Sequence, residues 1–267
     1  MEPAEPEIAA TAVPFPGPFV SARPAVRRKP RLRFWRDVRS ELGGLKRAWR
    51  RGHLKLWALV GLIVSALLVW QVDGPWLTAI TTHLRTCPPK QALAEIGFCR
   101  WVNVAGDFGF TALIFVVLAA IHSVHRTAFL RKLVVSVLVS ALVVGAVGRV
   151  IKFTVGRARP REMVRQNLQP WSCVGPSFSS NYNSFPSGHS SFAAAGTTPV
   201  LMAVPWAGVP LTVCSLVIGG SRAVGTYHYP SDVVAGLWLG AMVGGASGLR
   251  LRRMAKRAQR IAAFRVG

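Results

Sequence analysis

Long apolar runs separated by short polar segments dominate the chain from residue 56 onward. Four of these runs are continuous, at residues 56–72, 108–121, 133–151 and 233–249. A transmembrane helix needs about 20 mostly apolar residues. The stretch between His189 and Ser221 is also apolar, but its prolines and glycine favour two short helices joined by a tight turn. The pattern therefore predicts an all-α, polytopic membrane protein with six transmembrane helices over residues 56–250.

Two segments of different composition precede the first apolar run. Residues 1–26 are rich in Pro and Ala, and we interpret them as a disordered tail. Residues 27–55 are basic, and their apolar residues recur at spacings of three or four, which predicts an amphipathic helix that Gly43-Gly44 could interrupt. Its Trp and Leu side chains would enter the interface while Lys and Arg contact anionic lipid headgroups. The alternative is a solvated basic segment that only sets topology.

Basic residues greatly outnumber acidic ones, with 33 Lys and Arg against ten Asp and Glu. In a soluble protein this excess would suggest nucleic acid, but in a membrane protein it reflects the retention of Lys and Arg in cytoplasmic loops. With both termini in the cytoplasm, that side holds 13 Lys and Arg before the first span, three between the second and third, and seven after the last span, of which six lie in the basic tail 251–267. We therefore expect an inner-membrane protein without a nucleic-acid partner.

The ten remaining basic residues fall on the outer side, where the topology rule disfavours them. Six of them form one cluster, opposed only by Glu162. They are Arg149, Lys152, Arg157, Arg159, Arg161 and Arg165. Anion binding gives such a cluster a cause. An inverted orientation is the alternative, but it would place 20 basic residues of the two tails outside.

The first motif in this region is KFTVGRARP, residues 152–160. On a helix, residues seven apart lie on one side after two turns, so Lys152 and Arg159 could converge on one anion. Pro160 disfavours helical geometry at Arg159 and ends the segment. The alternative is that these residues anchor a helix end at the membrane interface.

A second motif, FPSGHSS at residues 185–191, directly precedes an apolar helix. Ser187 suits the N-cap of that helix. The free amides at its start, including that of Gly188, would form an anion site. His189 can give or take a proton near neutral pH. The alternative is a capped helix with an incidental histidine.

The third motif is SRAVGTYHYPSD, residues 221–232, at the junction of the fifth and sixth predicted helices. Pro230 fits the first turn of the last helix, where the dipole favours the Asp232 carboxylate. Asp232 can reach back to His228, which would fix the ring tautomer and raise the basicity of its free nitrogen. No Ser or Cys nucleophile motif accompanies the pair, so His228 would be the nucleophile. The alternative is a structural His–Asp pair.

In this order the motifs read K-x6-RP, PSGH and SR-x5-H-x3-D, and the chain resembles the type 2 phosphatidic acid phosphatase family, which shares its site with vanadium haloperoxidases. All eleven signature residues are present. The resemblance covers about residues 130–250 closely, and the six-helix arrangement extends it to Leu56. It implies a phosphatase/haloperoxidase-type helical core.

The resemblance also implies a role for each matching residue. His228 would attack phosphorus, oriented by Asp232, while His189 protonates the leaving oxygen and then activates water. The phosphate oxygens would be bound by Lys152, Arg159, Ser187, Gly188 and Arg222. Because fixed cations can stabilise the equatorial oxygens as magnesium does in kinases, no metal or other cofactor is expected.

A lipid substrate is favoured by the length of the two helices between His189 and Ser221. They share 31 residues, so neither is expected to exceed about 14 residues, or about 21 Å. This places the site near the outer interface. The family suggests phosphatidic acid, phosphatidylglycerophosphate, undecaprenyl pyrophosphate or lipid A. Arg157 and Arg161 would suit a diphosphate or several phosphates, or would anchor to anionic lipid.

Three other functions compete with a phosphatase. Vanadate-dependent halide oxidation occurs in soluble relatives, so the six spans argue against it. A catalytically inactive, membrane-anchored binding protein would normally have lost a signature residue. A transporter is disfavoured because the chain has no internal repeat and no intramembrane acid away from the site.

The four cysteines, at positions 87, 99, 173 and 214, match no zinc signature. We therefore predict no metal site. Cys87 and Cys99 fall in one polar connector outside the cytoplasm, where they would form a disulfide or remain as two free thiols.

Overall fold

The computed structural model describes residues 30–86 and 108–264, together with the isolated positions 97 and 102. The predicted disordered tail and the predicted Cys87–Cys99 disulfide lie outside these residues. The described chain is helical, in agreement with the all-α prediction. Its helices are α1 Pro30–Arg50, α2 His53–Gln71, α3 Asp73–Thr86, α4 Phe108–His125, α5 Ala128–Val155, α6 Pro160–Gln166, α7 Gly188–Ala203, α8 Pro205–Val224 and α9 Pro230–Ala263.

Each of the six apolar segments forms a helix, but the segments differ in length. Four helices are long and apolar enough to cross a membrane, namely α2, α5, α8 and residues 230–257 of α9. Helix α4 is apolar but shorter by the same measure, and α7 has 16 residues. The chain is thus built as a multi-pass membrane protein, whereas six spans and cytoplasmic termini stay predictions. Most of the predicted tail 251–267 continues α9 as helix.

The expected limit of about 14 residues for α7 and α8 is wrong, since these helices have 16 and 20 residues. Val204 alone separates them. Pro205 occupies the first turn of α8, where its missing N–H costs no hydrogen bond. At the other end, α8 continues through Ser221 to Val224. Helix α8 is therefore about 30 Å long. The inference of a lipid substrate from two short helices no longer holds.

Helix α1 is continuous through Gly43 and Gly44, so the predicted interruption does not occur there. A Cβ atom at Gly44 would lie 2.5 Å from Nη1 of Arg250, which shows that this glycine allows close packing against α9. The chain instead breaks at Gly52, which has φ +81° and precedes α2. Glycine adopts this left-handed conformation without a steric penalty.

Acidic side chains attach α1 to the helical bundle. Asp37 accepts a hydrogen bond from Nε of Arg131 in α5 at 2.7 Å, and Glu41 lies 3.5 Å from Nη1 of Arg250 in α9. Among the described side chains of α1, the large apolar ones that are exposed are Trp35, Leu42 and Trp49. This face suits the membrane interface, and its contact with anionic headgroups stays a prediction.

Helix α7 lies at the centre of the bundle, packed against α5, α8 and α9. Its close approach to α9 depends on glycines that recur every four residues along one side of α9. They are Gly236, Gly240, Gly244 and Gly248. A Cβ at Gly240 would lie only 2.3 Å from the carbonyl oxygen of Ser191. Small residues at this spacing let two membrane helices pack closely, and here they bring the first turns of α7 and α9 together.

Candidate active site

Four helix ends meet at one end of the bundle, and the predicted site residues lie on or beside them. Lys152 is in the last turn of α5, Ser187 caps α7, Arg222 is in the last turn of α8, and Asp232 is in the first turn of α9. The main-chain N–H of Ser187 donates to the carbonyl oxygen of Asp232 at 2.9 Å. The N–H of His228 donates to the carbonyl oxygen of Arg222 at 3.2 Å. The second and third motifs are therefore joined through the backbone.

Lys152 and Arg159 do not share a helix, so the prediction from their helical spacing is wrong. Helix α5 ends at Val155, and Arg159 has an extended backbone directly before Pro160, the first residue of α6. Both cations nevertheless act electrostatically on His228. The tertiary fold brings them to one site by a different route from the one the spacing suggested.

Gly156 ends α5 and turns the chain into the segment that carries Arg159. It has φ +58°, and its carbonyl oxygen accepts a hydrogen bond from the N–H of Val174 at 3.0 Å. A Cβ at this position would lie 1.8 Å from the carbonyl oxygen of Gly175. Only glycine fits both the left-handed conformation and this contact.

His228 and Asp232 form the predicted pair. Nδ1 of His228 lies 3.6 Å from Oδ2 of Asp232, slightly beyond hydrogen-bond length, and both side chains are fully buried. The same Oδ2 accepts hydrogen bonds from the Ser184 hydroxyl at 2.5 Å and from the N–H of Tyr229 at 3.0 Å. These donors hold the carboxylate still, so it faces the Nδ1 edge of the imidazole. The Nε2 edge of His228 is then the one available for chemistry.

Burial lowers the pKa of His228 from its ordinary value of 6.5 to about 3. The charges of Lys152 and Arg159 act in the same direction, and Asp232 opposes them. His228 is therefore neutral at physiological pH. A neutral imidazole keeps the lone pair that a nucleophile needs.

This lowered pKa predicts a loss of stability in acid. Unfolded His228 takes up a proton below about pH 6.5 and the folded residue does not, so the free energy of unfolding decreases as pH falls from 6.5 toward 3. We expect His228→Gln to remove this part of the dependence. In thermal unfolding of detergent-solubilised protein, the Tm of the variant relative to the wild type should rise as pH falls through that window. A Tm difference that does not change with pH would contradict the lowered pKa.

Lys152 and Arg159 form the cationic side of the site. Nζ of Lys152 donates to the carbonyl oxygen of Asn183 at 2.8 Å, and a Cβ at Gly188 would lie 3.8 Å from Cε of Lys152. In the part of the chain that the structure describes, neither Lys152 nor Arg159 has a carboxylate within salt-bridge distance. Lys152 beside the start of α7, together with Arg159, creates the potential that attracts an anion.

The buried guanidinium of Arg222 packs over the ring of Tyr227, with 4.2 Å between Cζ and the ring centroid. Arg161, which is exposed, also lies over this ring, at 4.5 Å. Its charge acts on Arg159. Tyr227 therefore holds one buried and one exposed guanidinium beside the site, and Arg161 keeps the predicted option of contacting a second phosphate.

Two predicted residues, Ser187 and His189, occupy the beginning of α7. Ser187 is the N-cap as predicted, because its hydroxyl oxygen accepts hydrogen bonds from the N–H of Ser190 at 3.5 Å and from the Ser190 hydroxyl at 2.9 Å. His189 is half-buried in the first turn. This places an imidazole and the amides of a helix N-terminus at the convergence of the four helix ends.

Arg157 does not have either role considered for it, because it is 2% exposed and fully engaged inside the protein. Its two terminal nitrogens each lie 2.7 Å from a carboxylate, Nη1 from Asp232 and Nη2 from Asp73. Its guanidinium also packs over the ring of Tyr229 at 4.0 Å. Burial alone would lower the pKa of Arg157, but the two carboxylates outweigh it and raise the pKa. Arg157 is thus neither a phosphate ligand nor a lipid anchor.

The sequence reasoning missed Asp73 and Ser184. Asp73 is completely buried at the start of α3, and Ser184 donates to Asp232. A signal for Asp73 was available, because it is one of only ten acidic residues and directly follows an apolar span. Ser184 carried no comparable signal, since serine is common in polar connectors.

The sequence model of a protein family, the PAP2 superfamily, matches residues 129–253, the segment that holds all three motifs. Residues 129–253 are a PAP2 superfamily domain. The resemblance on the eleven signature residues is therefore confirmed. Helices α1 to α4, including Asp73, lie outside the PAP2 domain.

Two curated relatives match part of the chain. A lipid A 1-phosphatase of Rhizobium johnstonii is 35% identical over 97 residues, which are 36% of this chain and 39% of the relative. A lipid A 1-phosphatase of Rhizobium etli is 33% identical over 96 residues, or 36% of this chain and 40% of the relative. The chain thus spans about two fifths of the length of these relatives. No solved structure matches the chain.

Proposed function

We propose that the protein is a metal-independent membrane phosphatase that hydrolyses the phosphate group of a lipid through a phosphohistidine intermediate. The observation that carries this proposal is the buried neutral His228, which has Asp232 at 3.6 Å from its Nδ1 and is subject to the charges of Lys152 and Arg159. A neutral nucleophile inside a cationic pocket suits attack on an anionic phosphorus centre.

In the first step, Nε2 of His228 attacks phosphorus and the bond to the leaving oxygen breaks. His189 gives its proton to that oxygen, and Asp232 stabilises the positive charge that the His228 ring acquires. Lys152, Arg159, Arg222 and the α7 amides contact the three equatorial oxygens, where negative charge develops.

In the second step, water attacks phosphorus and the bond between phosphorus and Nε2 breaks. His189, now neutral, accepts a proton from the water. Inorganic phosphate leaves, and His228 returns to its neutral form. His189 regains the proton that it gave to the leaving group, so both histidines are restored for the next cycle.

Lipid A is the first substrate to test among the four candidates, because both curated relatives are named as lipid A 1-phosphatases. Phosphatidic acid, phosphatidylglycerophosphate and undecaprenyl pyrophosphate complete the panel.

The positions of the helix ends, rather than short helices, support a lipid substrate. The site lies where the spanning helices α5, α8 and α9 end, so it sits near a membrane surface that a lipid headgroup can reach.

We place this end of the bundle on the periplasmic side of the inner membrane. Arg131 and Arg250, which bind α1, lie toward the opposite ends of α5 and α9 from Lys152 and Asp232. The basic helix α1 therefore lies at the end of the bundle remote from the site. The preference of Lys and Arg for the cytoplasm then favours an outward-facing site.

The proposal predicts phosphate release by purified protein from at least one lipid of the panel in mixed micelles. Activity should persist in EDTA and fall with vanadate, which mimics the five-coordinate transition state. A strict requirement for an added divalent metal, or no release from any lipid, would count against the function.

Sealed vesicles test the orientation of the site with the same phosphate-release assay. A membrane-impermeant aryl phosphate should be hydrolysed by right-side-out vesicles and not by inverted ones.

A further inference from the structure

Three buried charges form a continuous bridge beside the proposed nucleophile. In this Asp73–Arg157–Asp232 bridge, the guanidinium of Arg157 contacts both carboxylates at 2.7 Å, Nη2 to Oδ2 of Asp73 and Nη1 to Oδ1 of Asp232. None of the three residues is more than 2% exposed. Charged hydrogen bonds of this kind are strong when water is excluded.

Ser231 adds a second connection between Asp73 and α9. Its main-chain N–H donates to Oδ1 of Asp73 at 3.1 Å, and its hydroxyl donates to Oδ2. The same hydroxyl accepts a hydrogen bond from Nη1 of Arg157 at 2.7 Å. Asp73 thus caps the first turn of the helix that carries Asp232, although it belongs to α3.

The two oxygens of Asp232 have separate partners. Oδ1 accepts from Arg157, while Oδ2 accepts from Ser184 and Tyr229 and faces His228. Arg157 therefore fixes the rotation of the carboxylate that orients the imidazole. Without Asp73, the positive charge of Arg157 would have Asp232 as its one carboxylate partner in the described part of the chain.

We propose that Asp73 and Arg157 are positioning residues for the phosphatase reaction. Asp73 neutralises Arg157, so Asp232 keeps the net negative charge that stabilises the His228 ring when it becomes cationic on phosphorylation. The bridge also holds Asp232 in the rotation that faces His228. This inference rests on the proposed phosphohistidine mechanism. It assigns part of the catalytic geometry to α3, outside the PAP2 domain at residues 129–253.

The decisive variant is Asp73→Asn, which keeps the shape and one oxygen for the Ser231 N–H but removes the charge. We expect kcat to fall about 10- to 100-fold, as when other outer partners of a functional side chain are lost, with KM changed by less than about twofold. A matched control is Glu162→Gln. Glu162 is another buried acid paired with an arginine, Arg165 at 2.8 Å, with no contact to Asp232. This control should keep kcat within about twofold of the wild type.

A double-mutant cycle separates positioning from general stabilisation. If Asp73 acts through Arg157, the kcat of Asp73→Asn combined with Arg157→Lys should equal that of the more impaired single variant, because both disrupt one unit. Additive losses in kcat would overturn the coupling. Tm values of all variants in detergent show whether the losses in kcat follow stability, which would indicate a structural role.

The outcomes distinguish this inference from the proposed function. If wild-type protein is active, His228→Gln is inactive and Asp73→Asn retains full kcat, the bridge has no positioning role while the phosphatase assignment stands. If wild-type protein releases no phosphate from any lipid, the proposed function itself fails. Should Asp73→Asn not fold, Ser231→Ala deletes the hydroxyl that contacts both Asp73 and Arg157. It should lower kcat about fivefold, and an unchanged kcat would overturn the inference.

Discussion

The His228→Gln variant is expected to lose phosphatase activity by about 10⁴-fold or more, as when the nucleophile of a hydrolase is removed. Glutamine fills much of the buried site but cannot form a covalent bond to phosphorus. His228 is 2% exposed, so solvent cannot readily replace it with an external base. The variant should therefore lose both turnover and the covalent intermediate.

The intermediate provides the more direct measurement. Wild-type protein quenched in alkali during turnover of a ³²P-labelled substrate should carry acid-labile label, and His228→Gln should carry none. His125→Gln is the matched control, because His125 is an exposed histidine in the last turn of α4. It should retain both label and activity. Label on the His228→Gln variant would assign the nucleophile to another residue and reject the mechanism.

The His189→Ala variant should lose activity in a way that depends on the leaving group. With a lipid phosphate, the leaving alkoxide needs a proton, so we expect kcat to fall about 10²- to 10⁴-fold. An aryl phosphate has a good leaving group that departs without a proton. Its first step should survive in His189→Ala, while hydrolysis of the phosphohistidine becomes slow because no base activates water.

Rapid-quench kinetics with p-nitrophenyl phosphate measure this difference. His189→Ala should release a burst of nitrophenol, close to one per active site, followed by a slow steady state. The phosphoenzyme should accumulate to a higher level than in the wild type. A variant with equal losses for lipid and aryl substrates, and without a burst, would show that His189 does not serve as the general acid and base.

Local sequence signals identified the helices and their caps because these depend on neighbouring residues. Ser187 at the start of α7 and Pro230 at the start of α9 were predicted from cap and first-turn preferences that act within one turn. The contact between His228 and Asp232 followed in the same way, since the residues are four apart. The length of α8 was underestimated because the prediction took Ser221 as the end of the helix, whereas α8 continues to Val224.

The same reasoning failed for Lys152 and Arg159. Their spacing of seven suggested one helix face, but the helix ends between them at Gly156, whose carbonyl oxygen accepts a hydrogen bond from the N–H of Val174. This contact joins two parts of the chain that a sequence pattern does not relate. The cations still meet near His228 because the fold, rather than the helical repeat, brings them there.

By itself, the sequence determined an all-α membrane protein, the three motifs and the cations of the proposed phosphate site. These features depend on composition and short spacings, which a single chain displays directly. Only the tertiary structure decided what Arg157 does, because its partners Asp73 and Asp232 lie 84 and 75 residues away. In the sequence alone, an arginine in a basic cluster predicts anion binding. In the structure, Arg157 is instead buried between two carboxylates. Arg157 therefore contacts Asp232 and does not serve as a phosphate ligand.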